Sequence, residues 1–123
     1  MRYQKRSKYG NKKVFRYGRW FDSIAEAEYY PIAVSYADQY GYELKLNQWA
    51  IKKTQYVADY AFYHRGKLVR LVDVKGVETK DFKLKAKMIA RELGLVIVLA
   101  KKKRGGFVEY PFNMPASKRK EVL

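Results

Sequence analysis

The stretch from Leu68 to Gly76, LVRLVDVKG, combines strand-forming side chains with an acid and a lysine near its end. Valine favours a β-strand, and a glycine often ends one. Residues two apart in a strand point to the same face, which predicts that Asp73 and Lys75 project together while Val74 points to the other side. A carboxylate and an ammonium group on one face of a mostly apolar strand are candidates for a metal and water site.

Triplets of an acid, any residue and a lysine recur in this chain and mostly need no special explanation. Four are present, beginning at Glu43, Asp73, Glu78 and Asp81, and only the one at Asp73 ends a continuous apolar run. Surface ion pairs of this kind are common and weak. The triplet alone therefore does not indicate a function, and the functional interpretation depends on the apolar run that precedes Asp73.

A second acid lies in the preceding strand. The stretch 56–63, YVADYAFY, predicts a strand that contains Asp59, and the turn 64–67 joins it to the strand of Asp73. A buried carboxylate costs on the order of several kcal/mol unless it is hydrogen-bonded, paired with a base or bound to metal. Two such carboxylates on paired strands indicate a metal site. His64, the only histidine, needs no role beyond solvation in the turn.

The chain before these strands predicts a hairpin and a capped helix. The stretch 14–21, VFRYGRWF, suggests two short strands around Gly18. Its aromatic side chains alternate with arginines, and they would either stack on bases or simply pack the hairpin. Ser23 and Glu26 form a capping box for a helix that ends near Gly41. A glutamate in a capping box needs no other purpose, so this position alone does not require catalysis.

Five residues of this helix share one apolar arc on a helical wheel. They are Ile24, Ala27, Tyr30, Pro31 and Val34. Glu26 and Glu28 lie at its opposite edges, so only one of them can face a given site. Pro31 removes a backbone hydrogen bond and crowds the preceding turn, which predicts a kink or a break.

The remaining elements complete a β-α-β crossover. The predicted elements are a strand at 44–51, a helix at 80–93 that ends at Gly94, a strand at 95–100 parallel to the Asp73 strand, a basic turn at 101–106 and an edge strand at 107–112. We expect one small α/β domain with a mixed central sheet flanked by helices, in the order α-β-β-β-α-β. The core domain spans residues 14–112, between a flexible basic arm at 1–13 and a basic tail at 113–123.

The charge of the chain indicates a polyanionic partner. The formal net charge is +15, with +8 between Met1 and Phe21 and +5 from Lys101 to Leu123, so the middle of the chain is nearly neutral. Cations that neutralise phosphates release condensed counterions, which favours nucleic acid over a merely soluble, highly charged surface. The candidate DNA-binding residues are Arg2, Lys5, Arg6, Lys8, Lys12, Lys13, Arg16, Arg19, Lys83, Lys87, Lys101, Lys102, Lys103 and Arg104.

The composition also narrows the class of protein. The chain has no cysteine, which excludes disulfides and thiolate metal sites. The longest apolar run, Leu93 to Ala100, is too short to span a bilayer, so we expect a soluble protein without a membrane partner.

The order of these motifs resembles the PD-(D/E)xK nuclease superfamily. The matching residues are Ser23-Ile24-Ala25-Glu26, Ala58-Asp59 and Asp73-Val74-Lys75-Gly76. The resemblance covers roughly Phe21 to Lys101 and is strongest to small phage nucleases, including the phage junction-resolving endonucleases. Two features depart from the pattern: Ala58 stands where a proline often precedes the first aspartate, and Pro31 is unusual in the first helix.

The resemblance implies a restriction-endonuclease-like core and a metal-dependent DNA endonuclease that leaves 5′-phosphate and 3′-hydroxyl ends. It implies Glu26, Asp59, Asp73 and Lys75 as catalytic residues, and Mg²⁺ or Mn²⁺ held by Asp59, Asp73, the Val74 carbonyl and Glu26. The expected partner is branched or junction DNA. The expected location is the cytoplasm of a bacterial or phage-infected cell. A homodimer is one assembly compatible with this resemblance.

Two other functions compete with this interpretation. Composition alone favours a non-catalytic basic protein that coats nucleic acid. However, acids among basic arms repel such a ligand unless a cation intervenes. A restriction-type or nicking nuclease with sequence specificity is the other alternative, although 123 residues leave little room for a recognition domain.

Overall fold

The computed structural model describes residues 12–51, 56–75, 78–114 and 117–118, with the side chains of 48–51 left out. Most of the predicted arm and tail therefore lies outside the described residues. The described elements, in chain order, are β1 (Val14–Arg16), β2 (Arg19–Phe21), α1 (Ile24–Tyr40), β3 (Glu43–Ile51), β4 (Tyr56–His64), β5 (Lys67–Val74), α2 (Lys80–Leu93), β6 (Ile97–Lys103) and β7 (Gly106–Pro111).

Local capping signals set the limits of both helices. The Ser23 side chain accepts a hydrogen bond from the backbone N–H of Glu26 at the start of α1, as the sequence predicts. Thr79 caps α2 in the same way. Gly41 and Gly94 end the two helices in the left-handed conformation, with φ of 69° at both positions.

The tight turn between β4 and β5 fixes the pairing of the two strands that carry the aspartates. Arg65 and Gly66 both have positive φ, 53° and 79°, as a two-residue hairpin turn requires. The strands pair antiparallel from His64↔Lys67 to Tyr60↔Val72, with a register shift between Phe62 and Tyr63. This pairing leads directly to Asp59 and Asp73 at the far end of the hairpin.

The strands form a five-stranded mixed sheet and a separate two-stranded hairpin. The order in the large sheet is β3-β4-β5-β6-β7, and the hairpin pairs β1 with β2. Strand β6 runs parallel to β5 after the α2 crossover, and β7 pairs antiparallel with β6 at the edge. The predicted order α-β-β-β-α-β and the predicted parallel pair are confirmed.

The two helices cover opposite faces of the large sheet. On one face α2 buries Phe82, Ala86 and Ile89 against a cluster that includes Leu71 of β5. On the other face α1 packs against a cluster that includes Val72, the next residue of β5. Adjacent residues of one strand point to opposite faces, so each helix has its own core layer.

The structure corrects the sequence prediction in α1 and in β6. Helix α1 continues through Pro31, which excludes the break of the predicted kink or break. It buries Ala27, Tyr29, Ala33 and Ala37, whereas Ile24 and Pro31 of the predicted apolar arc are exposed. Alanines allow the helix to approach the sheet closely, which a count of large apolar residues overlooks. Strand β6 begins at Ile97 and continues through Lys103, because Lys101–Lys103 pair with β7, and the turn is confined to Arg104 and Gly105.

Within the described residues, no helix combines the length and apolar character needed to cross a membrane.

Candidate active site

Asp59 and Asp73 bind each other's strands through their carboxylates. The backbone N–H of Asp59 donates to Oδ1 of Asp73 at 3.0 Å. The backbone N–H of Val74 donates to Oδ2 of Asp59 at 2.9 Å. These two bonds continue the β4–β5 pairing beyond Tyr60 and Val72, with side-chain oxygens in place of carbonyl oxygens. The two carboxylates, predicted on paired strands, thus lie close together at this end of the hairpin.

Both carboxylates are withdrawn from solvent. Asp73 is 1% exposed and Asp59 is 9% exposed, and they are the buried charged residues of the described chain. Each accepts a backbone hydrogen bond, which compensates part of the cost of burial. Two acids held this close repel each other when both are ionised, so a cation at this place would relieve the repulsion.

Val74 and Lys75 follow Asp73 in the arrangement that strand alternation predicts. The Val74 side chain packs with the core cluster under α1. The Nζ atom of Lys75 lies over the ring of Phe82, 4.9 Å from its centroid, on the α2 side. The backbone N–H of Lys75 donates to the Ala100 carbonyl at 3.1 Å, which anchors the end of the strand to β6.

The ammonium group of Lys75 contacts an aromatic ring rather than a described carboxylate. Within the described residues it takes part in no salt bridge, and its side chain is only partly buried. The Phe82 ring supports the cation through its face but leaves its hydrogen-bond donors unused.

Glu26 reaches the neighbourhood of the aspartates through Tyr60. The hydroxyl of Tyr60 donates to the backbone carbonyl of Glu26 at 2.6 Å, and Tyr60 directly follows Asp59 in β4. Burial raises the pKa of Tyr60 well above its ordinary value, and the charges of Asp59 and Glu26 raise it further. Both acids therefore act on the same buried hydroxyl, and this contact fixes the first turn of α1 over β4.

Glu28 has a different partner. Its carboxylate forms an ion pair with Nζ of Lys102 near the end of β6. Of the two helix acids, Glu28 is thus bound to a basic side chain of the sheet, whereas Glu26 lies beside Tyr60. Lys102, one of the candidate DNA-binding cations, is engaged in this pair.

The structure brings together part of the predicted ligand set. Asp59, Asp73 and Val74 are in direct contact, and Lys75 follows them. Across the described ranges, no three His, Cys, Asp or Glu side chains gather closely enough to hold a metal ion as a group. Glu26 accordingly does not complete a three-acid cluster with the aspartates.

The described candidate DNA-binding cations lie mostly at the surface. Lys12, Lys13, Arg16, Arg19, Lys83, Lys87, Lys102, Lys103 and Arg104 are exposed, and Lys101 is partly buried. Arg2, Lys5, Arg6 and Lys8 lie outside the described residues.

A polar network under α1 was not predicted from the sequence. Arg70 of β5 forms a salt bridge of 2.5 Å with Glu109 of β7, and the hydroxyl of Tyr29 donates to the same carboxylate at 2.9 Å. The guanidinium of Arg70 also stacks on Tyr36, 4.4 Å from the ring centroid. An arginine inside the apolar run 68–74 was the available sequence signal. The network ties α1 to both β5 and β7 and so supports the position of the helix that carries Glu26.

Comparison with known proteins identifies a family but no characterised relative. A family model described as Protein of unknown function (DUF1064) matches residues 32–103, more than half of the chain. This range includes Asp59, Asp73, Val74 and Lys75, but neither Glu26 nor the β1–β2 hairpin. No curated protein matches the chain. No solved structure matches it. The chain belongs to the DUF1064 family of proteins of unknown function.

Proposed function

We propose that this protein is a metal-dependent DNA endonuclease with a restriction-endonuclease-like core. The observation that carries the proposal is the pair of buried carboxylates, Asp59 and Asp73, which bind each other's strands at the end of β5 and are followed by Lys75. A protein that only coats nucleic acid gains nothing from buried acids beside its ligand, because they repel phosphate.

The residues present fit a hard divalent cation. Asp59, Asp73 and the Val74 carbonyl would hold Mg²⁺ or Mn²⁺, with Glu26 as an additional acid that holds a water or a second ion. Magnesium sites commonly use only one or two protein carboxylates and complete the shell with water and substrate phosphate, so a gathered three-acid cluster is not required. When bound, the ion would lower the pKa of a water molecule and neutralise charge on the phosphate.

The chain's own residues have separate tasks in this proposal. Lys75 would place its ammonium group on the phosphate or on the attacking water, since its donors are not used by a described carboxylate. The water would attack phosphorus, the bond between phosphorus and the 3′ oxygen would break, and a proton would reach that oxygen. The products are then a 5′-phosphate and a 3′-hydroxyl.

The distribution of charge supports DNA as the substrate. Exposed cations lie on the β1–β2 hairpin, on α2 and at the turn after β6, in a chain with a net charge of +15. Such cations would contact phosphates without reading base sequence. Branched or junction DNA is the proposed substrate class, with linear duplex as the alternative for a nicking or restriction-type enzyme.

The test compares cleavage of a four-way junction, a flap and a linear duplex, with and without Mg²⁺, for wild type and Asp73→Asn. We expect cleavage only with the metal, a preference for the branched DNAs, and a loss of at least about a hundredfold in Asp73→Asn with DNA binding retained. The matched control is Asp81→Asn, because Asp81 also begins an acid-x-lysine triplet but is exposed on α2 and pairs with Lys85 at 3.3 Å.

A second measurement does not depend on activity. Mg²⁺ binds the folded site and should raise the melting temperature of wild type and of Asp81→Asn, but much less that of Asp73→Asn. Cleavage by Asp73→Asn at the wild-type rate would refute the nuclease. DNA binding with neither cleavage nor a Mg²⁺-dependent shift would favour the non-catalytic DNA-binding protein instead.

A further inference from the structure

The β1–β2 hairpin holds an aromatic pair that faces away from the domain. Phe15 and Trp20 are directly opposite each other in the hairpin, and their rings meet edge to face at 5.3 Å. They are 56% and 65% exposed. Large apolar side chains that remain together in solvent commonly mark a binding surface.

The other face of the hairpin anchors it to α1. Phe21, next to Trp20, is buried, and its ring centroid lies 5.7 Å from that of Tyr30 in α1. Tyr17 stacks on Tyr30, with 5.3 Å between the ring centroids. The guanidinium of Arg19 lies 5.9 Å from the centroid of the Tyr30 ring. Neighbouring residues of a strand point to opposite faces, so the anchor on one face directs Phe15 and Trp20 outward.

The anchor also sets the hairpin beside the candidate active site. Tyr30 lies one helical turn after Glu26, whose backbone carbonyl binds the hydroxyl of Tyr60. The ring of Tyr30, which contacts both Tyr17 and Arg19, thus links the hairpin to the part of α1 that carries Glu26.

The hairpin itself carries only positive charges. Residues 12–21 contain Lys12, Lys13, Arg16 and Arg19 and no acid, and all four cations are exposed. A surface with two exposed rings among cations is complementary to a ligand that has both apolar flat faces and negative charge. Single-stranded nucleic acid has this combination, since its bases are free to stack and its phosphates are regularly spaced.

We propose that the β1–β2 hairpin binds unpaired nucleotides, with Trp20 and Phe15 stacking on bases while Arg16 contacts an adjacent phosphate. The inference rests on the proposed nuclease function and specifies its substrate: DNA in which bases are unstacked next to the cleaved bond, as at a branch point. In fully paired duplex the bases are already stacked, so the aromatic pair would find no partner there.

The test is a binding experiment in chelator, so that no cleavage occurs. Affinities of wild type and Trp20→Ala are measured by fluorescence anisotropy for an oligothymidylate single strand and for a fully paired duplex of equal length, over a series of salt concentrations. We expect Trp20→Ala to weaken single-strand binding by about tenfold and duplex binding by less than about twofold, with an unchanged salt dependence. Trp20→Phe should restore most of the affinity.

Two matched variants separate stacking from other effects. Arg16→Gln should weaken binding to both DNAs and make the salt dependence shallower, because it removes a phosphate contact. Tyr40→Ala removes an exposed ring at the far end of α1 and should change neither affinity. Circular dichroism and melting curves check that each variant is folded.

The outcomes distinguish this inference from the proposed function. An equal loss on both DNAs, or no loss on either, would overturn the stacking role even if the protein cleaves DNA with Mg²⁺. Trp20-dependent binding to phosphatidylserine vesicles without discrimination between the DNAs would assign the hairpin to a membrane surface instead. Discrimination in chelator without metal-dependent cleavage would leave the stacking surface standing and remove the nuclease.

Discussion

Glu26 and Glu28 lie two residues apart on α1 but in different surroundings. Glu28 is paired with Lys102, whereas Glu26 shares with Asp59 the neighbourhood of the Tyr60 hydroxyl. If the protein is a nuclease, Glu26→Gln should lower the cleavage rate by about tenfold to a hundredfold, and Glu28→Gln by less than about threefold. Rates are measured at saturating DNA and Mg²⁺, so that weaker binding does not contribute.

Lys102→Gln provides the control for the second variant. It breaks the same ion pair from the other side, so its rate should match that of Glu28→Gln. An inactive Glu28→Gln beside an active Glu26→Gln would reverse the assignment of the helix acid.

Tyr29 and Tyr60 make the folding stability of the protein depend on pH in the alkaline range. Burial raises the pKa of both hydroxyls well above the ordinary value near 10, and the charge of Glu109 adds to the effect at Tyr29. In the folded state each hydroxyl keeps its proton at a pH at which the unfolded chain loses it. Their contribution to stability is thus complete below about pH 10 and decreases as the pH rises above it.

We expect each of these tyrosines to account for about 1.4 kcal/mol of lost stability at pH 11, one unit above the unfolded pKa. Urea unfolding of Tyr60→Phe and Tyr29→Phe should therefore show a weaker decline in the free energy of unfolding between pH 9 and about 11 than wild type. Tyr40→Phe, which removes an exposed hydroxyl, is the control. Parallel declines in all four proteins would show that the two buried hydroxyls do not control this transition.

For individual residues, the sequence could predict that Asp59 and Asp73 lie close together, but not which hydrogen bonds they form. Asp59 and Asp73 flank a tight turn in adjacent strands, so strand pairing alone brings them together. That each carboxylate accepts a hydrogen bond from the other strand depends on where regular pairing ends, which the sequence does not reveal. The contact from Tyr60 to α1 joins elements far apart in the chain and has no local signal.

Among the elements, α1 tolerates an interior proline. Pro31 is exposed, and the helix continues to Tyr40. Pro31 has no backbone N–H, so one helical hydrogen bond is missing. We therefore expect Pro31→Ala to stabilise the protein by about 1 to 3 kcal/mol in urea unfolding. Ser35→Ala, one turn later on the same exposed side, should change stability by less than about 0.5 kcal/mol.

A destabilised Pro31→Ala would show that the ring has a packing role. Pro31 lines a shallow pocket of about 370 Å³ together with Ile32, Ser35, Tyr36 and Gln39. Loss of the proline ring from this lining would then cost more stability than the restored hydrogen bond contributes.

The elements themselves were largely predictable because their signals are local. Ser23, Gly41 and Gly94 cap helices, and the Arg65-Gly66 turn joins strands, irrespective of the rest of the chain. The buried face of α1 was not predictable in this way, since apolar residues surround the whole helix and the buried set combines three alanines with Tyr29. The lysines of β6 extend as a strand because β7 pairs with them, which overrides their weak strand preference.

For the whole molecule, the net charge of +15 leads to a strong dependence of DNA binding on salt. Lys103 and Arg104 are exposed at the end of β6, whereas the neighbouring Lys102 is paired with Glu28. Changing Lys103 and Arg104 together to Gln should reduce the slope of log affinity against log salt by up to about two. Lys102→Gln should reduce it by less, because its charge is already neutralised.

The measurement is duplex binding in chelator over a salt series. If Lys102→Gln alone reduces the slope as much as the double variant, the pair with Glu28 opens on DNA and the paired cation contacts phosphate. An unchanged slope in the double variant would exclude this turn from the DNA-binding surface.

The mutual bonds of Asp59 and Asp73 make two backbone amides into reporters of the site. The amide protons of Asp59 and Val74 are held by carboxylate oxygens rather than by carbonyls, so their exchange with solvent deuterium depends on the state of those acids. Protonation of either acid or capture of an ion would change the exchange rates of these two amides while the rest of β4 and β5 exchanges as before. Amide exchange followed by NMR could therefore observe the candidate site directly, without DNA and without turnover.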